Sequence, residues 1–232
     1  MASVIRPRAG GGALVATERG IALGREEDLS DLKEVVSLTD DPTIRTNEGG
    51  CDPDGRFWVG TMSYDKVVGA AGVYRWDGPG TAPVLAWSGA TTANGLGFSP
   101  DGELGYWVDT PTRTVTVLDY DARAGLADPR PFVDIDEGAG KPDGLCVDAE
   151  GGVWVALHRG SAVRRYDADG RLSEVVELPV SKVTACTFGG EGLDLLFITT
   201  SRENLPDGVE PASGSVYACE PGVRGLEPLT FG

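Results

Sequence analysis

Short apolar runs separated by turns rich in glycine, proline and aspartate recur along the chain and predict an all-β protein. Four runs follow a turn glycine: RFWVG after Gly55, ELGYWVD after Gly102, GVWVA after Gly151 and LDLLFIT after Gly192. Apolar runs of this length bounded by glycine turns are typical of antiparallel strands. These glycines are 47, 49 and 41 residues apart, and a fainter copy, RAGGGALVAT, precedes them. A repeat of this length, built from strand, turn and strand, is typical of a β-propeller.

The period divides the chain into five repeat units, each with room for the four strands of a propeller blade. The units cover residues 3–40, 44–88, 93–135, 142–180 and 183–231. In the third unit we expect the strands NGLGFS, ELGYWVD, TVTVLDYD and RPFVDI, separated by the turns SPDG and TPTR and the loop DARAGLADP. Two segments interrupt the pattern: REEDLSDLKEVVSL, a connection into an outer strand, and SRENLPDGVEPASG, a loop. Because the repeat runs from end to end, we predict a single β-propeller domain over residues 1–232.

A short polar residue stands eight positions before each of the four turn glycines. These residues are Asn47, Asn94, Asp143 and Thr184. If the blades are equivalent, each lies near the start of an innermost strand, so their side chains share one end of the central channel. Two amides, a carboxylate and a hydroxyl there suit a hard divalent cation. The alternative is that each residue caps its own strand or turn through the backbone. Three Asx residues in register favour the shared site.

Charge and composition exclude several classes of partner. The formal net charge of −16 argues against nucleic-acid and anionic-membrane partners, since both need a basic face. No segment approaches the roughly 18 apolar residues of a membrane span. The start, MASVIRPRAGGG, has no apolar core of a secretory signal. We therefore predict a cytoplasmic protein.

Other residues with reactive, ionisable or aromatic side chains are assigned to packing or turns. The four cysteines form no CxxC pair and have one histidine, His158, to join them, so we interpret them as small core residues. Three tryptophans recur at one strand position and are predicted to pack between sheets: Trp58, Trp107 and Trp154. The acidic residues after the inner strands are interpreted as turn formers: Asp52, Asp101, Asp148 and Glu150.

The chain resembles the gluconolactonase, senescence-marker (regucalcin) and luciferin-regenerating family over nearly its whole length. The runs that carry the resemblance are RTNEGGCDPDGRFWVGTM, ANGLGFSPDG, KPDGLCVDAEGGVWVA, the FGG of TACTFGG and PASGSVY. The resemblance implies a six-bladed propeller with one divalent metal ion in its channel, and many such proteins hydrolyse sugar lactones. It also implies metal ligands at Asn94 of NGL and Asp143 of PDG, and substrate contacts from Arg45, Asn47 and Asp65. Glu48 stands where the family usually has aspartate and is included among the substrate-binding residues.

The N-terminal part departs from the family pattern. The family's GE-G-P segment, which supplies a metal-binding glutamate, has no counterpart, because SVIRPRAGGG already corresponds to the second blade. About one blade is therefore missing relative to the family. Three explanations stay open: five blades close on themselves, self-association covers the gap, or the printed start lies downstream of the true one, which we favour.

Two functional hypotheses follow from these residues. The first is a lactone hydrolase in which one divalent ion (Zn, Ca, Mn or Mg) acts as a Lewis acid on a small sugar lactone. Asp143 would be both metal ligand and general base, with a metal-bound hydroxide as the competing nucleophile. The chain has no Ser-His-Asp set and no GxSxG elbow, which favours direct attack by water. The second hypothesis is a non-catalytic or metal-impaired propeller, a binding or vestigial form, because the family glutamate is absent.

Overall fold

The protein consists of short antiparallel sheets, each built from strands that are consecutive in the chain. The structure is a computed structural model that describes all 232 residues. The first sheet contains β1 (Val4–Pro7), β2 (Ala13–Ala16), β3 (Gly20–Gly24) and β4 (Lys33–Ser37). The second contains β5 (Ile44–Cys51), β6 (Phe57–Ser63), β7 (Ala71–Trp76) and β8 (Val84–Ala90). The third contains β9 (Ala93–Phe98), β10 (Leu104–Asp109), β11 (Thr114–Asp121) and β12 (Gly125–Asp134).

The remaining strands form two further sheets. The fourth sheet contains β13 (Lys141–Val147), β14 (Val153–His158), β15 (Ala162–Tyr166) and β16 (Leu172–Glu177). The fifth contains β17 (Val183–Gly189), β18 (Leu195–Thr200) and β19 (Val216–Cys219). The prediction of an all-β propeller built from consecutive-strand blades is confirmed. The last sheet differs from the others in having three strands.

The irregular segments follow the predicted pattern with one difference. The acidic segment after β3 leads into the outer strand β4, and residues 201–215 form a loop, as predicted. The expected loop DARAGLADP is shorter than predicted, because β12 already begins at Gly125. Leu126 pairs there with Tyr120 of β11, so the hairpin extends the sheet where the sequence contains several turn-forming residues.

The chain divides into two compact units, each with its own apolar core. The first unit contains residues 1–94 and 228–232. Its core joins the first two sheets through Leu14, Ile21, Phe57 and Trp76. Phe231, from the end of the chain, stacks on Trp76 with ring centroids 5.1 Å apart and an interplanar angle of 9°. The C-terminal segment therefore completes the core of the first unit, although the sequence repeat assigned it to the fifth unit.

The second unit contains residues 95–227 and has two core clusters. The first joins the third and fourth sheets and includes Val108, Val115 and Val155. The second joins the fourth and fifth sheets and includes Trp154 and Leu196. Neighbouring sheets in this unit thus bury their apolar faces against each other.

A buried aspartate follows the inner strand in two of the sheets and fixes its turn. Asp148 is fully buried and accepts hydrogen bonds from Trp154 Nε1 at 2.8 Å and Arg165 Nε at 2.7 Å. Its other oxygen accepts hydrogen bonds from the backbone N–H groups of Glu150 and Gly152.

In the first unit, Asp52 repeats this arrangement. It accepts hydrogen bonds from Trp58 Nε1 at 2.8 Å and from Arg56 Nε at 2.7 Å. These aspartates form turns as predicted, and they also satisfy the buried N–H groups of Trp58 and Trp154, which are confirmed as packing residues.

Helical structure is restricted to two three-residue 3-10 turns, Thr110–Thr112 and Glu137–Ala139. No helix has the length or the apolar character needed to cross a bilayer.

Candidate functional site

The four polar residues of the repeat lie on the first strand of their sheets, and three of them lie where strand pairing is interrupted. Asn47 lies on β5, Asn94 on β9, Asp143 on β13 and Thr184 on β17, as the repeat predicted. The register of β5 against β6 shifts between Thr46 and Gly49, so Asn47 and Glu48 lie at a bulge. The register of β13 shifts between Pro142 and Leu145, and that of β17 between Val183 and Ala185. A bulge bends the strand and re-aims the side chain of the unpaired residue, and bulges are frequent beside active sites.

In the first unit, hydrogen bonds join three of the candidate residues. Arg45 donates from Nη1 to Asn47 Oδ1 at 2.9 Å and to the Thr46 carbonyl oxygen at 2.9 Å. Asn47 Nδ2 donates to Asn94 Oδ1 at 2.7 Å and to the Ala93 carbonyl oxygen at 2.9 Å. Asn94 is 7% exposed. A guanidinium carries five N–H donors, more than these two acceptors use. The arrangement therefore holds Arg45 in one orientation with donor capacity remaining for a ligand.

Two further residues belong to this cluster and were missed by sequence reasoning. The guanidinium carbon of Arg45 lies 5.9 Å from the centroid of the Tyr64 ring, within cation–π range. Tyr64 donates its hydroxyl hydrogen to Glu18 Oε1 at 2.7 Å. This bond lowers the pKa of Glu18 and raises that of Tyr64. Tyr64 directly precedes Asp65, so its position shortly after the GTM motif is a sequence signal that could have identified it. The contact of Glu18 has no local signal, because 46 residues separate the two side chains.

Asp65 lies in the turn after β6 and is exposed. Its assignment as a substrate contact stays a prediction. Thr184 Oγ1 is hydrogen-bonded to Thr199 Oγ1 at 2.8 Å, within the fifth sheet.

Glu48 lies at the same bulge as Asn47, but in a different environment. Its half-buried side chain lies in surroundings that raise the pKa of the carboxyl to about 7, chiefly through burial, and Arg6 partly opposes this shift. Burial disfavours the charged form of a carboxyl group. Near neutral pH, Glu48 is therefore divided between its protonated and ionised forms.

This raised pKa predicts how stability depends on pH. A carboxyl whose folded-state pKa exceeds its unfolded value stabilises the fold fully below the unfolded pKa, about 4.5, and loses that contribution as the pH rises through about 7. Between pH 5 and pH 8, we expect the free energy of unfolding of the wild type to fall by about 1–2 kcal/mol relative to Glu48→Gln. Urea unfolding at both pH values measures this difference. The control is Glu103→Gln, an exposed carboxyl that should follow the wild type. Equal pH dependence in wild type and Glu48→Gln would contradict the prediction.

In the second unit, Asp143 is a half-buried residue of β13. Glycines of the NGL and PDG motifs allow the neighbouring strands to pack closely beside it. A Cβ on Gly95, of the NGL motif, would lie 2.6 Å from the backbone nitrogen of Leu145 and 2.9 Å from the Asp143 carbonyl oxygen. A Cβ on Gly144, of the PDG motif, would lie 2.7 Å from the Cβ of Ala185 on β17. Contacts this short exclude any side chain larger than hydrogen. The motif glycines thus allow the first strands of neighbouring sheets to approach each other at the level of Asp143.

The donors predicted as metal ligands are all oxygens. Asn94 offers an amide oxygen, which also accepts the hydrogen bond from Asn47 Nδ2, and Asp143 offers a carboxylate. The protein has no group of three or more His, Cys, Asp or Glu that could hold a metal ion. Four-coordinate zinc sites are built mainly from Cys and His. Oxygen donors with a single charge instead fit a hard cation such as Ca²⁺ or Mg²⁺ that keeps several waters.

The sequence matches one family model and is similar to several known proteins. The family model of the SMP-30/gluconolactonase/LRE-like region matches residues 1–202, a range that includes every candidate residue from Arg45 to Thr184. The chain is 33% identical to regucalcin of Xenopus laevis over 236 residues, which are 97% of this chain and 78% of that protein. It is 38% identical to pentonolactonase XacC of Haloferax volcanii over 192 residues, which are 82% of this chain and 64% of that protein.

A solved structure extends the similarity to three dimensions. The calcium-binding protein regucalcin from Agrobacterium tumefaciens aligns with a TM-score of 0.92 and 30% identity. The alignment covers 100% of this chain and 80% of that one. The similarity thus includes both compact units.

Proposed function

Because this chain belongs to the SMP-30/gluconolactonase/LRE-like family, we propose that it hydrolyses a sugar lactone with the help of one divalent cation. The observation that carries the proposal is the hydrogen-bonded set formed by Arg45 and Asn47 of β5 with Asn94 of β9. A relative named as a pentonolactonase and a similar structure named as a calcium-binding protein support it.

The substrate side of the proposal is based on the donors and acceptors in this set. A sugar lactone presents a carbonyl oxygen, a ring oxygen and several hydroxyl groups. Arg45 supplies N–H donors, and the amide of Asn47 supplies both a donor and an acceptor. Asp65 would accept a hydrogen bond from a hydroxyl group of the lactone. Tyr64 would hold the guanidinium of Arg45 in place through their cation–π contact.

The chemical step is proposed as direct hydrolysis. Asn94 and Asp143 would hold the cation, which, when bound, polarises the lactone carbonyl as a Lewis acid. Asp143 accepts a proton from the attacking water. Arg45 donates hydrogen bonds to the oxygen that gains negative charge. The ester C–O bond then breaks, and the proton passes to the leaving ring oxygen, which gives the hydroxy acid and restores the carboxylate.

Lactone opening by the purified protein tests this proposal. Acid release from a hexonic or a pentonic lactone is followed by pH-stat with added Ca²⁺, Mg²⁺, Mn²⁺ or Zn²⁺, and spontaneous hydrolysis in buffer is subtracted. We expect a rate above buffer that EDTA abolishes and one of the cations restores. Rates equal to buffer with every cation would refute the hydrolase.

The second candidate function is a metal-impaired binding propeller. It is favoured by the lack of any group of three acidic, His or Cys residues that could hold a metal. In that case, calorimetry would detect binding of a sugar lactone, but no cation would raise the rate of lactone hydrolysis. Divalent cations would also leave the Tm of the protein unchanged.

A further inference from the structure

Two cysteine thiols from different sheets of the second unit are in contact. Cys146 lies on β13 and Cys186 on β17, and their sulfur atoms are 3.7 Å apart. None of the four cysteines of the chain forms a disulfide. The strands come together two residues before Cys146, at the close approach of Gly144 and Ala185 described above. A disulfide has an S–S distance of about 2.05 Å, so bond formation requires these two sulfurs to move closer together by about 1.6 Å.

We propose that Cys146 and Cys186 are a modification site that forms a reversible disulfide when the protein meets hydrogen peroxide. The bond would link the fourth and fifth sheets across 40 positions of sequence. It is independent of the proposed lactone chemistry.

The oxidation is balanced in two steps. The thiolate of Cys146 attacks one oxygen of the peroxide, the O–O bond breaks, and a sulfenic acid and water form. The thiolate of Cys186 then attacks the sulfur of that sulfenic acid, and the S–O bond breaks to release a second water. Two thiols and one peroxide thus give one disulfide and two waters. A thiol reductant reverses the change by thiol–disulfide exchange.

Exposure and surroundings assign the roles within the pair and exclude the other thiols. Cys146 is half-buried and open to a small oxidant, whereas Cys186 is 6% exposed and packs in a core cluster. Cys186 is therefore the resolving thiol. Burial raises the pKa of Cys51, in the first unit, to about 12, and it also raises the pKa of Cys219. A thiol reacts as its thiolate, so both are poor nucleophiles.

Disulfide mapping on the full-length protein tests the site. Reduced protein is treated with hydrogen peroxide, its remaining thiols are alkylated, and a non-reducing digest is analysed by mass spectrometry. We expect one linked pair of peptides, carrying Cys146 and Cys186, with the mass of two hydrogens lost and recovered on reduction. Cys51 and Cys219 should be alkylated in the denatured sample. Four alkylated cysteines, or a linked pair other than Cys146–Cys186, would overturn the proposal.

Variants provide a matched control. Cys51→Ser should still form the linked peptide, whereas Cys146→Ser and Cys186→Ser should not. In wild type and Cys51→Ser, the oxidised form should melt several degrees above the reduced form, because the cross-link restricts the unfolded chain. If the serine variants do not fold, mapping of the wild type alone still decides between the outcomes.

Discussion

Asp143→Asn is expected to lower kcat/KM for lactone opening by about 10²–10⁴-fold, because an amide cannot accept the proton of the attacking water. The change keeps the size of the side chain and an oxygen donor at the bulge of β13, so the fold should remain intact. Initial rates by pH-stat, with the cation that supports the wild-type reaction, measure the loss. An unchanged Tm would show that the effect is chemical.

Two comparisons sharpen this experiment. Asp169→Asn, an exposed carboxylate of the same unit that pairs with Arg171, should keep the wild-type rate. Raising the cation concentration distinguishes the two proposed roles of Asp143. A rate restored at high cation concentration would mean that the carboxylate acts only as a ligand, whereas a persistent loss would support its role as the base. Wild-type activity in a folded Asp143→Asn protein would remove Asp143 from the mechanism.

The largest expected effect on stability is that of Asp148→Ala, which should lower the free energy of unfolding by about 3–5 kcal/mol. The substitution leaves the indole N–H of Trp154 and the Arg165 guanidinium without their buried acceptor. It also removes the acceptor of two backbone N–H groups in the turn. A buried donor left unsatisfied costs the full desolvation penalty of that group. Urea unfolding followed by tryptophan fluorescence gives the free energy directly.

Asp101→Ala is the control for this effect. Asp101 occupies a turn after the inner strand of the third sheet, but it is exposed and accepts from Ser99 Oγ and the backbone N–H of Glu103. We expect a loss of about 1 kcal/mol or less there. A similar loss in both variants would mean that turn formation, and not burial of the ion pair, is what Asp148 contributes.

Much of the fold could be predicted because the repeat is encoded by residue types that are close together in sequence. Turn glycines and apolar runs identified the strands, and the eight-residue offset placed Asn47, Asn94 and Asp143 on first strands. Equivalence of the blades also implied contact between Asn47 and Asn94, and the structure places their side chains in a direct hydrogen bond.

The parts that could not be predicted depend on partners distant in sequence or on backbone register. Tyr64 meets Glu18 across 46 positions, and no local pattern encodes that pairing. The extra residue at each bulge changes neither composition nor periodicity enough to be detected. The length of β12 was underestimated because its Gly, Asp and Pro residues indicate a loop, while pairing with β11 holds them in a strand.

Each inner strand of the second and fourth sheets has a bulge near its beginning and a buried aspartate just after its end. Asn47 and Asp52 are related in this way, as are Asp143 and Asp148. Under the proposed function, substitutions at the first of these positions change ligand contacts, whereas substitutions at the second remove buried hydrogen bonds of the turn. A mutagenesis library aimed at new specificities should randomise the bulges and leave the aspartate–tryptophan pairs untouched.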